Sequence, residues 1–165
     1  MQGEDDIDWV EMLATGDRVD VIVPMIARMA MESDMKAQVI VQVGAVPHLV
    51  AMLTSDNADT KYNAASALKA IAFNSQDSPA RCGNACAIAQ AGGIPPLLAL
   101  LSSSTTGGDA KTAQIAADAL KCLAANLENH GIIKPALAGL VRAGTIPKQV
   151  ARDITSFLDM KCTLS

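Results

Sequence analysis

Cys82 and Cys86 stand four residues apart, a spacing that puts two thiols on one face of a helix. Two thiolates can begin a zinc site, but such a site needs four ligands at suitable spacing. The chain has only two histidines, His48 and His130, and they form no paired motif. Cys82, Cys86, Cys122 and Cys162 read more simply as small, mostly buried apolar residues of a protein kept in a reducing compartment. No metal and no cofactor is therefore expected, and a metal- or cofactor-associated protein using Cys82 and Cys86 stands as an alternative. Nucleophilic catalysis needs a nucleophile, a base and an orienting group within reach of one another. His48 follows Pro47 at the start of an apolar run, and His130 sits in a polar stretch read as loop, neither beside a characteristic nucleophile motif. Gly92-Gly93 and Gly107-Gly108 are not followed by the Gly-Lys-Ser/Thr that a phosphate loop requires. Asp5, Asp6 and Asp8 crowd the N-terminus, where helix capping and the helix dipole account for them. The expectation is a protein that is not an enzyme.

The 165 residues suffice for one domain with a sizeable core. Half of them are apolar and only 2% aromatic, so Ala, Val, Ile, Leu and Met must fill that core. Ala is the best helix former, and the β-branched residues do not alternate with polar ones, so an all-α protein is expected. The formal charge of −4 and the lack of any Lys/Arg run argue against nucleic acid as a partner. Apolar stretches such as Ile94 to Leu101 fall short of a membrane span, so no membrane insertion is expected. The acidic opening MQGEDDIDWV is unlike a signal or transit peptide, which points to an intracellular, cytoplasmic protein.

One phrase recurs. GAVPHLVAML runs from Gly44 to Leu53, and GGIPPLLALL from Gly92 to Leu101. Gly suits the left-handed position that ends one helix, and Pro suits the first turn of the next. Apolar residues then follow at helical spacing, Leu49, Val50, Leu53 and Leu97, Leu98, Leu101. After a polar turn, TSDNAD or SSSTTGGD, comes a longer Ala-rich helix. Its two versions, AASALKAIA from Ala64 and AADALKCLA from Ala116, agree at six of nine positions. Fainter copies flank these: Trp9 to Leu13 with Gly16 and Met25 to Ala30 at one end, Leu137 to Pro147 and Lys148 to Leu158 at the other. The last segment is expected to be a second helix. Ala30 and Ala72 are 42 residues apart, whereas Ala72 and Ala124 are 52 apart. The extra residues fall in SSSTTGGD, in NSQDSPARCGN (74–84) and around 126–131, read as polar loops in which specificity could sit.

This order of helix, Gly-x-Val/Ile-Pro turn, short helix, polar turn and long Ala-rich helix resembles the armadillo repeat family. The resemblance covers nearly the whole chain, as a partial repeat over 7–31, repeats over 35–73 and 84–125, and a partial repeat over 132–160. It implies a right-handed α-solenoid of about three to four three-helix repeats. It further implies a non-enzymatic scaffold that binds a protein or an extended peptide along a concave face lined by the third helices. In the best-known groove of the family a Trp is paired with an Asn four residues on. Here the matching positions hold Pro24, Ser66 and Asp118, then Arg28, Ala70 and Cys122, so import-signal binding of the familiar kind is not expected. The expected partner-contacting residues are Arg28, Tyr62, Ser66, Lys69, Phe73, Gln114, Asp118 and Cys122. An alternative is a structural subunit of a larger complex, held through open ends that include Trp9, Met12, Met25, Phe157 and Leu158. Pro24, inside VDVIVPMIARMA, is expected to mark a late start of its helix.

Overall fold

The computed structural model describes residues 5–73, 81–103, 110–124 and 126–162. The polar segments 74–80 and 104–109, and the side chains of Asp5, Asp6, Asp8, Cys82, Phe157 and Leu158, lie outside that description. Among the described residues there are ten α-helices and no strand. They are α1 (Asp5–Thr15), α2 (Val19–Glu32), α3 (Asp34–Gln42), α4 (Ala45–Met52), α5 (Ala58–Phe73), α6 (Arg81–Gln90), α7 (Ile94–Ser103), α8 (Ala110–Leu123), α9 (His130–Arg142) and α10 (Lys148–Cys162). A single 3-10 turn, Leu127–Asn129, precedes α9.

The turns follow from the repeated glycines. Gly16, Gly44, Gly92 and Gly144 all have φ between +71° and +82°, the left-handed region that costs a Cβ-bearing residue energy. Each lies at a sharp turn between helices, 87° at Gly44 and 74° at Gly92, so the helices pack on one another instead of fusing. Helix starts are capped locally. The Ser33 Oγ accepts from Lys36 N at 3.2 Å, and the Asn57 Oδ1 accepts from Asp59 N and Thr60 N at 2.9 and 3.1 Å.

The third helices form the spine. α5 packs against α2 on one side and α8 on the other, the most extensive helix contacts in the described structure. Alanine makes this approach possible: Ala64, Ala65 and Ala67 on α5, with Ala116, Ala117 and Ala119 on α8, are buried. Ile26, Leu68, Ile71, Leu120 and Leu123 fill the layers between. Ala30, Ala72 and Ala124, equivalent in the repeat, are all buried. α4 packs on α1 and α5, and α7 on α8 and α9.

Two junctions of unequal length close the same way. After α5, the buried Asn84 donates its Nδ2 to the carbonyl of Ile71 at 3.3 Å. After α8, the buried Asn129 donates to the carbonyl of Leu123 at 2.9 Å. Ile71 and Leu123 are equivalent residues in the last turn of a third helix, where carbonyls have no helical partner. The stretch 126–131, expected as loop, is instead the 3-10 turn and the start of α9, pinned by Asn129 and by His130, whose Nε2 lies 2.7 Å from the carbonyl of Ala124.

Two other expectations are corrected. Pro24 lies inside α2, five residues past its start, and not at a late beginning. The hydrogen bond it cannot make would run to the carbonyl of Asp20, an exposed first-turn residue that water can reach. Pro135 sits in the same place in α9. Secondly, α10 does not take a second helix's place. It packs on α8 and α9, while α9 packs on α7 and the 3-10 turn packs on α6. Its 15 residues match the 14, 16 and 14 of α2, α5 and α8. After Gly92 the helix resumes at Ile94, but after Gly144 it resumes only at Lys148. The intervening stretch, anchored by buried Ile146, redirects the chain onto the third-helix layer.

Candidate functional site

Helices α2, α5 and α8 carry the eight expected residues, and five of them fall into two groups. The first is a pocket of about 220 Å³ between α2 and α5, lined by Met31, Ser66, Lys69, Ala70 and Phe73. Met31 and Phe73 are exposed to 68% and 55%, well beyond what packing in the core would allow. Each is in the last turns of its helix, and the two project into one recess floored by Ala70. Apolar side chains held this open are not part of the packed core.

The second group is polar and ties α5 to α8. Lys69 Nζ lies 3.3 Å from Asp118 Oδ2, and Lys121 Nζ lies 3.5 Å from Asp118 Oδ1. Gln114 donates its Nε2 to Asp118 Oδ1 at 3.3 Å. All three charged side chains are about a third exposed, so the cluster contributes little stability and mainly fixes where its charges sit. Lys69 and Lys121 thus flank the Asp118 carboxylate, whereas Arg28, exposed on α2, acts on Glu32. At the rim, Lys36 holds the Glu32 carboxyl below its usual range, first through a hydrogen bond and then through its charge.

Of the eight expected residues, Ser66, Lys69 and Phe73 meet in the pocket, and Gln114 and Asp118 join Lys69 in the ion cluster. Arg28 is exposed on α2 and Tyr62 half-buried on α5, and neither lines the pocket. Cys122 is only 7% exposed and belongs to the core, because its place on α8 turns it toward the packed side. Sequence reasoning missed Met31, Ala70 and Lys121 as site residues. Helical spacing holds the signal: Met31 is one turn beyond Arg28, and Lys121 one turn beyond Asp118.

Of Cys82 and Cys86, only Cys86 has a described side chain. Cys86 Sγ accepts from Asn126 Nδ2 at 2.8 Å and donates to Glu128 Oε2 at 3.3 Å, so polypeptide groups already engage it. Among the described residues no three of His, Cys, Asp and Glu are grouped to hold one cation. Among the same residues no single helix is long and apolar enough to cross a membrane.

A model of the Armadillo/beta-catenin-like repeat family matches residues 33–72, the stretch that holds α3, α4 and nearly all of α5. A designed armadillo repeat protein superposes with a TM-score of 0.72 over 94% of this chain, at 21% identity. Residues 33–72 match an armadillo repeat, and the chain has the armadillo fold. An engineered protein also superposes, with a TM-score of 0.62 over 86% of the chain at 27% identity. The chain spans 63% and 52% of the lengths of these two proteins. No curated protein matches it. In armadillo terms α2, α5 and α8 are third helices, and the pocket and ion cluster lie along them.

Proposed function

We propose that this protein is a non-enzymatic interaction scaffold that holds an extended protein segment along the concave face of its third helices. Armadillo solenoids generally act as scaffolds for protein interactions, and an intracellular, cytoplasmic setting belongs to the same reading. The observation that carries it is the recess where Met31 and Phe73 stand open beside Ser66 and Lys69. A bound segment would place one apolar side chain between Met31 and Phe73. Its polar groups would run on toward Lys69, Asp118 and Lys121, and acidic residues would be favoured by the cations there.

Peptides selected from a random displayed library against the purified protein test this. Their affinity should fall at least tenfold with Met31→Ala/Phe73→Ala, while the helical circular dichroism stays unchanged. Selected peptides whose amide-shift perturbations miss α2, α5 and α8 would overturn the assignment.

A further inference from the structure

We propose that copies of this chain join head to tail, the α9–α10 face of one receiving the α1–α2 face of the next. A groove of about 440 Å³ runs between α9 and α10, and no described residue of α1 to α8 lines it. Leu137 and Val141 form part of its apolar floor, and Lys134, Arg142, Lys148 and Arg152 surround it. At the opposite end Val21 is 61% exposed, and among the described residues the exposed charged ones of the α1–α2 segment are Glu11, Asp17, Asp20 and Glu32 with Arg18 and Arg28, an acidic excess. Charge is sorted along the whole chain in the same sense. Residues 1–20 hold seven Asp and Glu against one Arg, and residues 130–165 hold five Lys and Arg against two Asp. An apolar floor ringed by cations thus has its chemical complement on the other end of the same molecule.

The order of packing supplies the register. α9 packs on α7 as α4 packs on α1, and α10 packs on the third helix α8. The molecule therefore presents a second-helix, third-helix pair at one end, and α1 and α2 are such a pair at the other. In a second copy set in line, α1 meets α9 and α2 meets α10, which continues both layers of the solenoid. The two faces differ, so the contact is heterologous, and it builds open chains or closed rings instead of a two-fold dimer. The α9–α10 groove shares no residue with the recess at Met31 and Phe73, and α2 carries both Val21 and Met31, so reversal of Lys148 and Arg152 tests assembly without touching the peptide-binding recess.

Sedimentation velocity on the whole chain tests the proposal, from micromolar to near-millimolar protein, at about 0.05 M and about 0.5 M salt. The expected result is a mass that climbs past the dimer with concentration and association at least tenfold weaker at high salt. Two variants reverse one end each, Glu11→Lys/Asp17→Lys and Lys148→Glu/Arg152→Glu. The first places cations in the second half of α1 and just beyond it, and the second places an anion at the first residue of α10, both compatible with the helix dipoles. Each variant alone should stay monomeric with unchanged circular dichroism, and an equimolar mixture should associate again. That recovery excludes misfolding as the cause of the loss. Monomer at every concentration, association untouched by either variant, or a mixture that stays monomeric would each overturn the proposal. So would loss confined to the Lys148→Glu/Arg152→Glu variant, which marks a symmetric contact between basic ends.

Discussion

Gly92 and Gly93 are adjacent and do different work. Gly92 has φ +78° and turns the chain. Gly93 has ordinary backbone but no room: a Cβ there would lie 2.8 Å from Ile88 Cγ2, 3.0 Å from the Ile88 carbonyl and 3.3 Å from Val50 Cγ2. It is the point where α6, α7 and the preceding repeat's α4 meet. In the other copy of the phrase this position is Ala45, fully buried, so that junction has space for a methyl group. Gly93→Ala should therefore destabilise the protein by about 1–3 kcal/mol, the usual cost of overpacking. Gly83→Ala, in helix α6 with nothing within 4 Å of a new Cβ, should stabilise by about 0.5–1 kcal/mol. Urea denaturation of both variants checks the pair, and equal effects would refute the contrast.

Among the elements, α2 breaks a local rule. Proline in a helix interior removes a hydrogen bond and crowds the preceding turn. α2 tolerates Pro24 because Ile22, Val23, Ile26 and Ala30 on the same helix are buried against its neighbours, while Pro24 itself is exposed. Tertiary packing outweighs a local cost of about 3 kcal/mol. Pro24→Ala should raise the unfolding free energy by about 1–3 kcal/mol without moving α2. A drop in stability would mean that the proline's shape, and not the buried face, sets the helix position. The same competition explains α10. Its sequence follows a Gly-Thr-Ile-Pro turn and so reads as a second helix, yet burial of Ile146, Ala151 and Ile154 draws it into the third-helix layer.

Across the whole molecule the contacts are between neighbours in the stack, so stability is distributed repeat by repeat. α1 packs on α2 and α4, far less extensively than α5 packs on its two neighbours. Trp9, the single tryptophan, is buried in that first unit, with its Nε1 lacking a hydrogen-bond partner among the described residues. Its fluorescence should lose its folded value at lower urea than far-ultraviolet circular dichroism does. Coincident transitions would show instead that the stack unfolds as one cooperative unit.

The repeat was legible because its signals are local. A Gly-x-Val/Ile-Pro turn, apolar residues at helical spacing and an Ala-rich helix each follow from backbone sterics and from the need to bury one face, so the all-α solenoid could be read without coordinates. Ser66, Lys69, Phe73, Gln114 and Asp118 could be placed on the third helices by counting turns from the repeat. Their division into a recess and an ion cluster could not, because Lys69 and Asp118 are 49 residues apart and meet only when α5 lies on α8. The burial of Cys122, the exposure of Met31, the paired roles of Asn84 and Asn129 and the position of α10 are likewise tertiary. Each depends on which neighbour covers a given face, a choice made by the packing of the stack as a whole.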